Sequence, residues 1–69
     1  MSAFSVRLRE LRASKGVTQK RAAESMGLSE RLYQSYELGE KEPGLGNIVK
    51  LADFFEVSAD YLLGRSDKQ

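Results

Sequence analysis

Residues 18–39, TQKRAAESMGLSERLYQSYELG, decide the fold of this 69-residue chain. Two stretches of helical spacing, 19–26 and 30–38, each follow a residue whose side-chain oxygen suits a helix N-cap, Thr18 and Ser29. Only three residues join the two helices, and so short a link forces the second helix across the first at a steep angle. The stretch therefore predicts a pair of crossed helices.

The crossing of two closely linked helices makes three demands on the residues around it. A small side chain is needed where the helices come closest, and Ala23 occupies that position. The turn must accept positive φ, which Gly27 does without a Cβ clash. Apolar side chains must fix the second helix on the first, and Leu28, Tyr33 and Tyr36 have suitable spacing. The segment meets all three demands.

Apolar residues at helical spacing indicate three further helices, over about 5–14, over 45–55 and briefly after Ser58. Four glycines each follow a helical stretch and predict its end: Gly16, Gly27, Gly39 and Gly64. The alternation typical of strands is missing. We therefore expect a compact all-α domain of five helices over 1–69, with its core over about 4–64. The polar tail, 65–69, is either a frayed end or the start of a linker.

The composition excludes several classes of protein. The chain has no cysteine and no histidine, which excludes disulfides, the usual zinc sites and catalytic triads built on these residues. Its longest apolar run is three residues, 61–63, whereas a membrane helix needs about 20. The first residues show no signal-peptide pattern. We expect a cytoplasmic protein with no metal, no cofactor, no membrane contact and no enzymatic activity.

The net charge of +1 conceals an uneven distribution. Residues 1–38 hold seven basic and four acidic side chains, whereas residues 39–69 hold four and six. Such asymmetry is typical of a protein with one side that faces a polyanion. An ordinary solvated surface explains the same numbers equally well, so charge alone does not choose between the two interpretations.

Gln19, Ala23, Gly27, Tyr33 and Tyr36 follow one another at intervals of four, four, six and three residues. This pattern resembles the helix-turn-helix of the lambda-repressor-like, Cro/CI-type (XRE) DNA-binding family. The resemblance covers nearly the whole chain, through RLRELR at 7–12, YELG at 36–39, Pro43, LxxIxxLAxxF at 45–55 and VSADYLL at 57–63. Because the flanking helices match in order, it is more specific than a helix-turn-helix match alone. It implies a five-helix, lambda-repressor-like domain.

The resemblance implies that the third helix is a recognition helix whose N-terminal half enters the major groove of DNA. Its outward positions are Glu30, Arg31, Gln34 and Ser35, with Leu32 at the edge. Arg31 suits a bidentate contact to guanine, and Gln34 suits one to adenine. Glu30 suits the amino group of cytosine, and Leu32 suits a thymine methyl group. For each of them, a solvated helix face is the alternative.

A second set of residues is expected to contact the DNA backbone. The resemblance implies that Gln19 contacts a phosphate or the groove edge, and that the amides at that helix start face a phosphate. Thr18 is a simple N-cap in the alternative interpretation, and both roles are compatible. Lys20, Arg21 and Lys41 are candidates for neutralising phosphates, which supplies affinity and salt dependence rather than sequence choice.

Arg12 and Glu37 each lie at the inner edge of an otherwise apolar helix face. The resemblance implies that they form a buried ion pair, to which we assign a structural role. Losing one partner would leave an uncompensated charge and cost about 3–5 kcal/mol.

The loop after the third helix departs from the family. It is often basic in relatives, whereas here Glu40 and Glu42 flank Lys41. This composition puts a phosphate role of the loop in doubt and indicates modest affinity.

Taken together, these features predict a sequence-specific, double-stranded DNA-binding transcriptional regulator, expected to be a repressor. One helix reads too few base pairs for genomic specificity, so we expect a homodimer on a near-palindromic operator with half-sites about 34 Å apart. Val49 and Phe54 fall off the main apolar stripe of their helix and are candidates for the dimer surface, or belong to a wider core face.

A protein-interaction module of the same fold is the alternative function, as an antitoxin, an anti-repressor or the DNA-binding half of a longer regulator. The single arginine on the recognition face, beside Glu30, keeps this alternative open. An enzyme is disfavoured because the carboxylates are scattered and no phosphate-binding glycine loop is present.

Overall fold

The computed structural model describes residues 3–69, and five α-helices account for most of them. Their bounds are α1 Ala3–Lys15, α2 Gln19–Ser25, α3 Glu30–Glu37, α4 Leu45–Phe55 and α5 Ala59–Leu62. No strand occurs within residues 3–69, and the all-α, five-helix fold is confirmed. Residues 1 and 2, which the expected domain includes, lie outside the described residues. None of the described helices is both long and apolar enough to cross a membrane.

Hydroxyl side chains begin three of the helices, as the sequence predicts. Thr18 Oγ1 accepts a hydrogen bond from Arg21 N at 3.0 Å, and Ser29 Oγ accepts one from Leu32 N at 3.1 Å. Ser58 caps α5 in the same way. Each bond satisfies an N–H group that the helix itself leaves without an acceptor, which is worth about 1 kcal/mol.

Glycine ends four of the helices, again as predicted. The φ angles lie between 70° and 80° at Gly16, Gly27, Gly39 and Gly64. Gly64 is the most constrained, because a Cβ there would lie 2.7 Å from Ala3 Cβ. α4 ends differently, since Glu56 adopts the left-handed conformation with φ of 58° although it is not a glycine.

All five helices contribute to one apolar core. α1 contacts α3, α4 and α5, while α2 packs on α3 and α4 packs on α5. The buried apolar residues are Phe4, Leu8, Leu11, Ala22, Ala23, Met26, Tyr33, Tyr36, Leu51, Ala52, Phe55 and Leu62. Ala22 and Ala23 are fully buried, which gives α2 the small-residue face that its close contact with α3 requires.

Tyr36 fixes α3 to two other helices. Its ring meets Phe4 of α1 edge-on, with the ring centroids 6.1 Å apart. Its hydroxyl accepts a hydrogen bond from Asn47 Nδ2 of α4 at 2.9 Å. Tyr33 on the same side of α3 is fully buried. The orientation of α3 about its own axis is therefore set by its aromatic side, and this determines which side chains face solvent.

The two residues expected off the main stripe of α4 have different environments. Phe54 is half-buried and packs against the core, with its ring 4.9 Å from that of Phe55 and the Lys15 ammonium 4.9 Å from its centroid. Val49 is 50% exposed. The wider core face therefore includes Phe54, and Val49 remains a candidate for an intermolecular contact.

Arg7 of α1 holds the tail, 65–69, against the domain. Its Nη1 donates to the carbonyl oxygens of Tyr61 at 2.5 Å and Ser66 at 2.6 Å. Its Nη2 lies 3.0 Å from Asp67 Oδ1. These bonds place Ser66 and Asp67, at the start of the tail, beside α1 and α5.

Candidate nucleic-acid interface

The side of α3 that faces away from the core carries most of the residues expected to read bases. Glu30 and Arg31 are exposed, and Leu32 and Gln34 are half-buried. The structure therefore leaves polar groups of suitable chemistry on the outer side of this helix. Its first turn, with the N-cap at Ser29, lies at the same end as Glu30 and Arg31.

An open concavity runs along this outer side of α3 and continues onto the following loop. It is lined by Ser29, Arg31, Leu32, Gln34, Ser35, Leu38, Glu40 and Lys41. The loop cation Lys41 thus shares a surface with Arg31 and Gln34, although the end of α3 separates them in the sequence. Glu30 is exposed but does not line the concavity. Glu40 does line it and adds negative charge at its edge.

Ser35 lines the concavity on the outer side of α3, but little of it is accessible. Its exposed fraction is 8%, and its hydroxyl donates to Leu32 O at 2.6 Å. Its carbonyl oxygen accepts the N–H groups of Glu40 at 2.9 Å and Lys41 at 3.3 Å. The hydroxyl of Ser35 is therefore occupied within α3, and its carbonyl oxygen fixes the start of the loop that follows.

The start of α2 carries the residues expected to contact phosphates. Thr18, Lys20 and Arg21 are exposed, and the role of Thr18 as N-cap is confirmed. Gln19 is half-buried because its side chain turns inward, where Nε2 donates to Glu37 Oε1 at 3.0 Å. These four residues lie together at one helix end, and none of them lines the concavity beside α3.

The ion pair expected between Arg12 and Glu37 forms across α1 and α3. Arg12 Nε donates to Glu37 Oε2 at 2.6 Å, and Arg12 Nη2 lies 3.2 Å from Glu37 Oε1. Arg12 Nη1 also donates to Val17 O at 3.1 Å, in the link between α1 and α2. The Glu37 carboxylate is only 2% exposed, whereas 24% of the Arg12 side chain is exposed. One guanidinium therefore connects α1, the link between α1 and α2, and α3.

Burial and hydrogen bonding act on Glu37 in opposite directions. Burial alone would raise the pKa of the carboxyl group, but Arg12, together with the nearby Tyr33 hydroxyl and the Gln19 amide, outweighs it, so the pKa of Glu37 is lowered. The Tyr33 hydroxyl is buried nearby, and within residues 3–69 no partner lies at both the distance and the angle of a hydrogen bond to it. Burial, together with the neighbouring carboxylate, raises the pKa of Tyr33. The carboxylate is therefore ionised and the phenol neutral at pH 7.

A family model described as helix-turn-helix matches residues 8–62, which is most of the chain. The chain belongs to the XRE-type helix-turn-helix family of transcriptional regulators. The resemblance seen in the sequence is thereby confirmed. In this helix-turn-helix domain, α2 and α3 are the two helices of the motif, and the match extends through α4 to the last residue of α5.

Several curated relatives of this helix-turn-helix domain are phage-associated or bacterial regulators. It is 42% identical over 60 residues to the SPbeta prophage-derived HTH-type transcriptional regulator YonR of Bacillus subtilis, covering 87% of this chain and 56% of YonR. It is 38% identical to the HTH-type transcriptional regulator ImmR of the same organism, covering 88% and 48%. It is 42% identical to the cryptic phage CTXphi transcriptional repressor RstR of Vibrio cholerae, covering 86% and 53%. The chain thus spans about half the length of these relatives.

Two features of this helix-turn-helix domain are not among those that its sequence predicts. Leu38 is 59% exposed and lines the concavity, which its position four residues after Gln34 could have indicated. The bond from Gln19 to Glu37 joins residues 18 positions apart, and no spacing rule predicts it. Only the packing of α2 against the C-terminal end of α3 brings these two side chains together.

Proposed function

We propose that this chain binds a specific double-stranded DNA operator as a homodimer and represses transcription. The observation that carries the proposal is the two-sided character of α3. Its aromatic side, with Tyr33 and Tyr36, is buried, whereas Arg31 and Gln34 line a concavity on the other side. A helix held by its apolar side and presenting hydrogen-bonding groups outward suits insertion into the major groove.

The base contacts follow from the chemistry of the outer face. Arg31 donates two hydrogen bonds to O6 and N7 of guanine, and Gln34 pairs with adenine. Leu32 packs on a thymine methyl group, and Glu30 accepts from cytosine N4 at the edge of the contacted sequence. Ser35 has no base contact in this proposal because it is buried.

The backbone contacts come from two places on the surface. Thr18, Gln19, Lys20 and Arg21 meet a phosphate at the start of α2, and Lys41 meets the backbone from the loop after α3. These contacts position α3 and carry the salt dependence of binding, without choosing the sequence. Glu40 opposes Lys41 at the edge of the concavity, so we expect the affinity for non-specific DNA to be weak.

A second copy of this chain completes the binding site. A genome offers a very large number of non-specific sites. The base contacts of one recognition helix are too few to make binding to the operator dominate over binding to all of them. Exposed apolar side chains are available for such a contact on α4, where Leu45 is 80% exposed and Val49 50% exposed. The two are four residues apart and therefore share a face. This face follows the loop of Lys41 in the chain, and in the proposed dimer it joins the two copies.

The same proposal has consequences for location and for the larger protein. A chromosomal or phage operator lies in the cytoplasm of a bacterium, and the regulator acts there. The chain spans about half the length of its relatives. The proposal therefore has a second form, in which this domain is the DNA-binding half of a longer regulator. No catalytic step, metal or cofactor is part of either form.

Selection of a binding site from random duplexes tests the proposal. We expect an enriched, near-palindromic motif whose half-sites are about 34 Å apart. A gel shift with that motif at two salt concentrations should show weaker binding at the higher one. A chain that enriches no motif and binds without salt dependence is instead a protein-interaction module. The exposed Glu30 and the Glu40 carboxylate at the edge of the concavity would then favour that function.

A further inference from the structure

The side chain of Gln19 lies between the protein interior and the proposed DNA surface. Gln19 is the first residue of α2 and is half-buried, while its neighbours Thr18 and Lys20 are exposed. Its Nε2 donates one hydrogen bond inward, to Glu37 Oε1 at 3.0 Å. A carboxamide nitrogen has two N–H groups, so the second remains for an acceptor outside the protein.

The chemistry of Glu37 fixes which end of the carboxamide faces inward. An ionised carboxylate only accepts hydrogen bonds, so Gln19 must turn its nitrogen toward it and not its oxygen. Both carboxylate oxygens also accept from Arg12, at 2.6 Å and 3.2 Å, so Glu37 is itself held in place. Without the carboxylate, rotation about the last torsion of Gln19 would exchange the oxygen and the nitrogen freely, because that torsion is broad and roughly two-fold.

Arg12 makes this arrangement compatible with a nearby phosphate. A carboxylate close to the DNA backbone would repel it, and the effect is strong in a poorly solvated place such as that of Glu37, which is 2% exposed. The guanidinium of Arg12 offsets that charge at hydrogen-bonding distance. The pair is therefore electrically neutral, and the carboxylate can orient Gln19 without opposing the approach of DNA.

We infer that Glu37 is a positioning residue for DNA binding, which holds the carboxamide of Gln19 so that an N–H group, and not the oxygen, meets a backbone phosphate. This inference rests on the proposed function, because it takes a phosphate to lie beside Gln19. It assigns the buried ion pair a role in recognition in addition to its role in folding.

A double-mutant cycle separates positioning from folding. The 69-residue chain is titrated against a fluorescent 20-bp duplex of mixed sequence at low salt, since a phosphate contact acts on any sequence. Gln19→Ala should weaken binding roughly tenfold, as a hydrogen bond to a charged group does. Glu37→Gln should weaken it roughly threefold or more in the wild-type background, because the amide orientation is no longer enforced. In the Gln19→Ala background, Glu37→Gln should have no further effect.

Gln34→Ala is the matched control, since Gln34 is also a glutamine of the proposed DNA surface but, within residues 3–69, donates no hydrogen bond to Glu37. Glu37→Gln should weaken binding as much in the Gln34→Ala background as in the wild type. All measurements are made at a temperature at which circular dichroism shows each variant folded. If Glu37→Gln does not fold, Glu37→Asp takes its place, because it keeps the charge near Arg12 but is too short to reach Gln19 as well.

Three results decide the inference. An equal effect of the Glu37 substitution with and without Gln19 would overturn it, as would wild-type affinity in Gln19→Ala. A wild type that fails to bind the duplex at low salt would overturn the inference and the proposed function together. Salt-dependent binding without an enriched motif would overturn the proposed sequence specificity alone, and the cycle would still decide the role of Glu37.

Discussion

Glu37 shows how a single residue can stay charged where water is almost excluded. Burying an unpaired carboxylate is costly, and the usual response of such a group is to take up a proton. Here Arg12 and Gln19 supply donors to both of its oxygens. The charge is thus retained, because the hydrogen bonds replace the water that the carboxylate has lost. A lowered pKa in the folded state means that folding favours the ionised form.

The stability contributed by Glu37 should depend on pH. Because its folded pKa lies below the ordinary value of 4.5, the contribution is complete above that value and is lost as the pH falls through the folded pKa. We expect the difference in unfolding free energy between wild type and Glu37→Gln to shrink as the pH falls from 5 toward about 2. Urea unfolding at a series of pH values measures it, with the exposed Glu24→Gln as control. A difference that stays constant over this range would contradict the prediction.

Arg31 should carry sequence discrimination. Replacing it by alanine removes a proposed bidentate contact to guanine, which is worth about 1–3 kcal/mol, or roughly 5- to 150-fold in affinity for the selected operator. Binding to non-specific duplex should change much less. Lys68→Ala on the tail is the matched control, because it removes one positive charge without touching the concavity. Equal losses on operator and non-specific duplex would instead make Arg31 a phosphate contact.

At the scale of the elements, Arg12 links α1, the α1–α2 connection and α3 through one guanidinium. Arg12→Ala should therefore unfold or strongly destabilise the domain, by about 3–5 kcal/mol, because Glu37 would be left buried without its partner. Such a loss is severe for a domain with so small a core. Thermal unfolding measured by circular dichroism tests it against Arg31→Ala, an exposed arginine of α3. An unchanged melting temperature for Arg12→Ala would refute the prediction.

Some helix ends carry a signal that the sequence shows, and one does not. Thr18, Ser29 and Ser58 begin helices through their own side chains, so the sequence alone locates these starts. α4 ends at Glu56 in the left-handed conformation, which no local signal indicates because glycine is the usual residue there. The hydrogen bond from Val57 N to Ala52 O, at 3.0 Å, closes the helix in this form without a glycine.

The residues of the site likewise divide into those whose position the sequence predicts and those whose position it does not. Helical spacing correctly places Arg31 and Gln34 on the outer side of α3, since it depends only on the helix period. It does not predict that Ser35, on the same side, is only 8% exposed and that its hydroxyl donates to Leu32 O. Long-range contacts, such as the bond from Gln19 to Glu37, depend on how the elements are assembled.

At the scale of the whole domain, the size of residues 3–69 is compatible with one half-site of the proposed dimer. The longest extent of its backbone is 27 Å, and its side chains extend beyond that trace. Two half-sites on one face of B-DNA are about 34 Å apart, so two copies side by side can each occupy one of them while touching. The charge distribution agrees with this arrangement, because both helices of the motif belong to the residues, 1–38, that carry the excess of positive charge.

The dimer contact proposed on α4 should fail when a charge is placed in it. Val49→Glu would bury a carboxylate between two apolar surfaces, so we expect at least a tenfold weaker dimer and separate, non-cooperative occupation of the two half-sites. The control is Val6→Glu, which places the same charge at a partly exposed valine of α1. Analytical ultracentrifugation measures the dimer, and a gel shift on one and two half-sites measures cooperativity. Because Val49 is half exposed, the folded domain should tolerate the change, so an unaltered dimer in Val49→Glu would exclude this face as the interface.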